Sequence, residues 1–342
     1  MMTRNLHISL IAIAAALILL PAAAFAQSPN VGEDAPDFGS ATWALNQPEQ
    51  TKITELRGEV IVVEHWGVNC GPCLRLIPHM EHLYTEHEAT GQGLHIFTFE
   101  RQNHDVDTVR STVISRGGGS YPVSAGGCEN YRGTGGIPMA WVIGVDGKIV
   151  FAGNPGNAAF DAAIKAELAK VKYPGLGKLD VHKDLDKAAR AFSTGDYAKA
   201  VSEAQDTLNN EKADDAAKAD ATFIAERAAS MHKSHLAAAR AAEDKKKYLE
   251  AIAEYEWIVT HFGSRSDEGT AAKDRVAELK KDKDVKAEIK AWQELDKLSQ
   301  KLTSMQTAPL DRRMKEVEKF VEKYEGSAAA AAAKTELANL LK

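Results

Sequence analysis

Two cysteines two residues apart, Cys70 and Cys73, carry the most direct chemical signal in this chain. They close the segment "EHWGVNCGPC" (Glu64–Cys73), which opens on a carboxylate. Thiol chemistry needs a thiolate. A cysteine at a helix N-terminus meets free N–H groups and the positive end of the helix dipole, and both stabilise the anion. The run "VIVVEHW" (Val60–Trp66) reads as a buried strand, and a helix is expected to begin around Gly71-Pro72. Proline suits a first helical position because its missing N–H costs nothing there. Cys73 then falls in the first turn, near enough for its sulfur to meet that of Cys70. This spacing lets Cys70 attack a substrate disulfide and Cys73 resolve the mixed disulfide.

Resolution requires Cys73 to lose a proton. Glu64 sits in an otherwise apolar strand, where an unpaired charge is costly, and alternation places it on one face with Trp66. Its expected role is a proton-accepting acid with a raised pKa. The alternative is a strand-end glutamate in water. A zinc site built with His79 and His82 is disfavoured. At about 1.5 Å per residue His82 stands roughly 13 Å along the helix from Cys73, whereas a zinc bond spans about 2–2.3 Å. No metal and no cofactor is expected. A purely structural Cys70–Cys73 disulfide would close a tiny loop and constrain the unfolded chain little. The remaining cysteine, Cys128, belongs to no motif and is expected to be a buried small hydrophobe; a regulatory partner for the pair and a glutathionylation target are the alternatives.

The elements that would position the pair alternate strand with helix. "CLRLIPHMEHLYTEH" (Cys73–His87) has helical period, "LHIFTFE" (Leu94–Glu100) reads as strand and "DVDTVRSTVISRG" as helix. "MAWVIGV" and "KIVFAG" flank Asp146-Gly147, a strong hairpin signal. "AAFDAAIKAELAKV" closes the series as a helix. This pattern implies a mixed sheet with helices on its faces.

The first 26 residues are not part of that fold. One early cation, Arg4, precedes an apolar run and Ala24-Phe25-Ala26, the pattern of a secretory signal peptide. An uncleaved anchor is the alternative. Export to a bacterial periplasm is therefore expected. A chain of 342 residues with only three cysteines is not a disulfide scaffold, so in an oxidising compartment a C-x-x-C favours redox chemistry. A net charge of −6 offers no case for a nucleic-acid partner.

With those residues in view, the first domain resembles the thioredoxin superfamily, most closely its exported TlpA/ResA-like branch near the AhpC/TSA families. Cys-Gly-Pro-Cys is intact, Glu64 fills the buried-acid position, and Pro78 follows as the family's helix-kinking proline. "GTGGIPMAWVIGVDGKIVFAG" (Gly133–Gly153) resembles the cis-proline loop and hairpin, and "VGEDAPDF … ITELRGEVIVVEHW" the lead-in of the branch. The likeness covers roughly Val31 to Val171. It implies an α/β thioredoxin-like fold with Cys70 as exposed nucleophile and Cys73 as resolving thiol. It also implies a cis Pro138 that frees the Ile137 backbone to pair with an extended substrate, with Trp66, Gly71 and Pro72 around the pair. Asn69 departs from the family, which usually has Trp before the first cysteine. A peroxiredoxin is disfavoured because Gly67 stands where T-x-x-C would need threonine.

"YPGLGKLD" (Tyr173–Asp180) reads as a linker, and the expected division is a thioredoxin-like domain at 27–174, a linker at 175–182 and a helical domain at 183–342. The helical part carries two pairs of similar stretches, "VTHFGSRSDEGTAAKDRVAEL" with "VEKYEGSAAAAAAKTELANL" and "AFSTGDYAKAVSEAQDTL" with "AAEDKKKYLEAIAEYEWIV". Helix–turn–helix units of this kind must stack to bury their apolar faces, and they resemble tetratricopeptide-like hairpins. The combined expectation is an exported thiol-disulfide oxidoreductase, acting as a reductase of protein disulfides and fed by an upstream electron donor, with helices that engage a protein. An isomerase, a scaffold with a structural thioredoxin domain and, more remotely, a metal chaperone are the alternatives.

Overall fold

The computed structural model describes residues 29–48, 50–88, 91–131, 135–264, 266–305 and 308–340. The expected signal peptide lies outside them. Among the described residues no helix is long and apolar enough to cross a membrane.

The strands are β1 (Ala41–Leu45), β2 (Val60–Trp66), β3 (Leu94–Glu100), β4 (Val123–Gly127), β5 (Met139–Ile143) and β6 (Ile149–Gly153). They form one sheet in the order β1-β4-β3-β2-β5-β6. β2 lies centrally, parallel to β3 and antiparallel to β5. Every residue of β2 is buried, which is why it reads as a continuous apolar run rather than an alternating one. β5 and β6 form the expected antiparallel hairpin, and Gly147 in its turn has φ +79°.

The two faces of the sheet bury different cores. Val60, Val62 and Trp66 pack with Ile77 and Met80 of α1 (Gly71–Leu83), Val109 and Val113 of α2 (Val106–Ser115), and Phe160 and Ile164 of α3 (Ala158–Leu168). Ile61 and Val63 point the other way, into Phe38, Phe97, Phe99, Tyr131 and Trp141. Cys70 and Cys73 belong to the first core and Cys128 to the second. The strand alternation expected of Glu64 and Trp66 therefore decides which chemistry each residue can join.

After α3 the chain is helical: α4 (Asp186–Ser193), α5 (Tyr197–Asn209), α6 (Asp215–Asp244), α7 (Tyr248–Phe262), α8 (Asp267–Lys281), α9 (Lys283–Ser304), α10 (Leu310–Lys323) and α11 (Ala328–Leu340). The internal likenesses of the sequence become geometric. Tyr197 and Tyr248 each start a helix, and Ala200 and Ala251, three residues on, are fully buried. Ser266 and Ser327 each accept a backbone N–H three residues ahead, at 2.9 and 3.0 Å, as N-caps of α8 and α11.

The Pro/Gly-rich connection is packed against both halves. Leu176 is fully buried within the helical core. Gly177 N donates to Glu59 Oε1 at 3.0 Å, and Glu59 Oε2 lies 2.7 Å from His95 Nε2. Gly177 has φ +76°, and a Cβ there would come within 2.5 Å of the Glu55 carbonyl, so this approach requires glycine. Arg227 of α6 reaches the Gly175 carbonyl at 3.3 Å.

Candidate functional site

β2 ends at Trp66 and α1 starts at Gly71, so residues 67–70 cross the end of the sheet. Cys70 is the N-cap of α1, and its sulfur accepts the Cys73 backbone N–H at 3.3 Å. Free N–H groups of the first helical turn thus face the sulfur where a thiolate would form. Pro72 sits in that first turn, where no N–H is missed. Cys70 and Cys73 form a disulfide. Cys70, implied to be exposed, is nearly closed off in the disulfide at 9% exposure, with Cys73 at 1%, while Gly71 and Pro72 lie open beside them.

The loop opposite contains the Ile137–Pro138 cis peptide. The Ile137 carbonyl oxygen stands 3.7 Å from Cys70 Sγ. Gly67 brings the two loops together: a Cβ on it would lie 2.5 Å from the Gln102 carboxamide and 2.7 Å from Ile137 Cδ1. Trp66 shares the core of the pair, with its indole N–H buried and without a partner in the structure.

Glu64 lies mid-strand, opposite Thr98 of β3 and Ala140 of β5, and is 3% exposed. The solvated strand-end alternative is thereby excluded. Burial pushes its carboxyl up to about 8, because the charged form loses its hydration. The Tyr121 phenol, buried in the same core, is raised first by its own burial and then by Glu64 and Glu81. His65, the next residue, faces the other core, where burial and then Arg101 lower it to about 3. Two adjacent residues are thus held neutral near pH 7 on opposite faces of one strand.

The other singled-out residues separate from the pair. His79 Nε2 meets Asp161 of α3 at 2.9 Å, and His82 meets Glu86 at 3.1 Å. Pro78 lies inside α1. Cys128 is fully buried on the far face of the sheet, and burial raises its thiol well above the ordinary range.

A second group, which no sequence motif announced, meets Asn69, the residue before Cys70. Glu100, at the end of β3, is wholly buried opposite Trp66. It accepts the N–H groups of Gln102 (2.9 Å) and His104 (3.2 Å) and lies 3.0 Å from His104 Nδ1. His104 Nε2 is 3.1 Å from Asn69 Nδ2, and Asn69 N donates to Gln102 Oε1 at 2.7 Å. A glutamate followed by polar residues at the end of an apolar strand was the only available signal. The parallel register of β2 with β3 is what brings it to the site.

No family model matches the chain. Among curated proteins, the thiol-disulfide oxidoreductase ResA of Bacillus thuringiensis is 25% identical over 124 residues, 35% of this chain and 68% of that protein. ResA of Halalkalibacterium halodurans is 33% identical over 75 residues, 22% of this chain and 40% of its own. The chloroplastic SUPPRESSOR OF QUENCHING 1 of Arabidopsis thaliana is 28% identical over 162 residues, 45% of this chain and 15% of its own. Among solved structures, a thioredoxin-family thiol:disulfide interchange protein of Chlorobium tepidum aligns over 40% of this chain and 95% of its own, with 25% identity and a TM-score of 0.33. A secreted thiol-disulfide isomerase of Corynebacterium glutamicum aligns over 34% and 74%, with 18% identity and a TM-score of 0.30.

Proposed function

We propose that this chain, a member of the TlpA/ResA-like branch of the thioredoxin superfamily and a thiol-disulfide oxidoreductase, is an exported reductase of protein disulfides that works through Cys70 and Cys73. The observation that carries this reading is the asymmetry of the pair. Cys70 caps a helix at the rim beside the Ile137 carbonyl, while Cys73 is sealed beneath it.

The reduced protein would act in two exchanges. The Cys70 thiolate attacks one sulfur of the substrate disulfide; that bond breaks and the other substrate sulfur leaves as a thiolate. The Cys73 thiolate then attacks Cys70 Sγ, the mixed disulfide breaks, and the second substrate sulfur leaves. Two electrons pass to the substrate, and the protons lost by Cys70 and Cys73 balance those gained by the two product thiols. The Cys70–Cys73 disulfide of this structure is the end state, and an upstream dithiol donor must reduce it again. Glu64, in its ionised form, takes the Cys73 proton; a base whose pKa lies near the working pH suits that task. The Ile137-Pro138 loop receives an extended substrate backbone beside Cys70, with Gly71 and Pro72 shaping the rim and Trp66 packed beneath the pair.

The helical domain, which we place at 183–342 after a connection at 175–182, would hold a protein partner through tetratricopeptide-like hairpins. A groove of about 640 Å³ between α6, α7 and α8, lined by His232, Arg240, Glu243 and Arg275, supports that reading. The intact redox site argues against a mere scaffold.

A redox titration against dithiol buffers, with thiol trapping and mass spectrometry, tests the proposal. A reversible two-electron couple near that of thioredoxin, about −270 mV, is expected, with turnover of a protein disulfide that Cys70→Ser abolishes. A couple nearer −120 mV would overturn the reductase direction in favour of an oxidase.

A further inference from the structure

We infer that Glu100, His104 and Asn69 form a positioning chain for Cys70, in which a buried carboxylate orients an imidazole and the imidazole sets the residue that precedes the nucleophile. The inference rests on the redox reading of Cys70 and extends it to residues beyond the C-x-x-C segment.

The chain begins in the core. The Glu100 carboxylate is fully buried and faces N–H donors from its own loop, Gln102 N at 2.9 Å and His104 N at 3.2 Å, and, at the limit of bonding, Val68 N of the segment between β2 and α1 at 3.5 Å. Glu100 already accepts two backbone N–H groups, and His104 Nδ1, 3.0 Å from Glu100 Oε1, is assigned as a further donor to it. This leaves the Nε2 lone pair of a neutral imidazole directed at Asn69 Nδ2, 3.1 Å away, which donates to it. Gln102 Oε1 holds the main-chain N–H of the same Asn69 at 2.7 Å. One short loop thus grips both the backbone and the side chain of the residue next to the nucleophile. Asn69 is exposed, so these bonds are not needed to fill a core.

A proton on His104 changes the arrangement. Nε2–H then donates, so the Asn69 carboxamide must turn its oxygen toward the ring or let go. The neighbouring charges are committed elsewhere. Arg101 bonds the Gly127 carbonyl. Asp105 caps α2 through the Asp107 and Thr108 N–H groups. Asp107 pairs with Arg110. Among the contacts of His104, the Glu100 carboxylate is the charged partner.

The test uses the full chain carrying Cys73→Ser, reduced, and follows alkylation of Cys70 by iodoacetamide from pH 4.5 to 9 by mass spectrometry. The rate profile should show the titration of the thiol. Adding His104→Gln or Asn69→Ala should displace that profile and lower the rate at pH 6 by about 3- to 10-fold, equivalent to half to one unit in the thiol titration. Asn69→Ala changes an exposed side chain and leaves the core intact, so a folded protein will report. Unchanged profiles in both variants, with Cys70 still reactive, would overturn the positioning chain and leave the oxidoreductase reading standing. A wild-type pair that fails to exchange with dithiols at all would sink the redox reading, and this inference with it.

Discussion

Glu64 and His65 are neighbours in sequence, yet burial drives them to opposite ends of the pH scale for the same reason: each loses hydration of its charged form. Both cost stability when the group is charged, but in opposite directions of pH. The Glu64 carboxyl is raised from 4.5 to about 8, so the folded state keeps a proton that the unfolded chain has released. Stability is unaffected below about pH 4.5, falls as pH rises toward 8, and stays reduced above it. His65 is lowered from 6.5 to about 3, so its contribution is whole above pH 6.5 and is lost as pH falls toward 3. Glu64→Gln should therefore stabilise the protein by a few kcal/mol at pH 8.5 and by little at pH 4.5, an order-of-magnitude conversion of the shift. Denaturant midpoints at the two pH values check this. The same variant should slow resolution of a Cys70 mixed disulfide, measured by rapid quench, without reducing the initial attack. Equal stabilisation at both pH values would show that Glu64 is not held neutral in the fold.

At the scale of elements, the helical repeats reuse one turn with different residues. Gly195, between α4 and α5, has φ +76°; Lys246, in the corresponding turn between α6 and α7, has φ +53°. The left-handed region crowds a Cβ against the backbone, whereas glycine enters it freely. Lys246 N still closes its turn on the Glu243 carbonyl at 2.7 Å, as Gly195 N does on Phe192 at 2.9 Å. Lys246→Gly should stabilise the protein by about 0.5–1 kcal/mol, the relief of the side chain less the extra entropy of an unfolded glycine. Chemical denaturation of the full chain reads this directly, and a loss of stability would mean that the lysine side chain contributes more than its backbone strain costs.

Across the whole molecule, the two halves meet through Glu59. Burial alone would raise its carboxyl. The imidazole of His95 and the backbone N–H groups of Gly175 and Gly177 outweigh that and hold it below the usual range. A depressed carboxylate contributes stability that is whole above about pH 4.5 and is lost as pH falls. Glu59→Ala leaves His95 and the Gly177 N–H without this acceptor, a loss of about 2–4 kcal/mol for a buried charge-assisted network. The variant should be cut faster by protease at residues 173–182, and its stability should vary less between pH 5 and pH 3 than that of the wild type. Cleavage unchanged from the wild type would show that other contacts, such as Arg227 with Gly175, suffice to dock the helices.

Local chemistry by itself determined the Cys70–Cys73 pairing, the helix that starts at Gly71, the hairpin around Asp146-Gly147 and the paired helical turns. Each depends on residues close together in the chain: a cap, a proline, a turn dipeptide, a repeated Tyr and Ala spacing. The isolated glutamate in "VIVVEHW" already marked Glu64 as anomalous, but only the pairing of β2 between β3 and β5 decided that it is buried rather than at an end. The register of β2 with β3 also decided that Glu100 stands opposite Trp66 and that His104 meets Asn69, across more than thirty residues of sequence. Cys128 was placed out of reach of the pair because the sheet lies between their cores. Strand order, register and face are set by long-range burial, which composition and spacing do not encode locally.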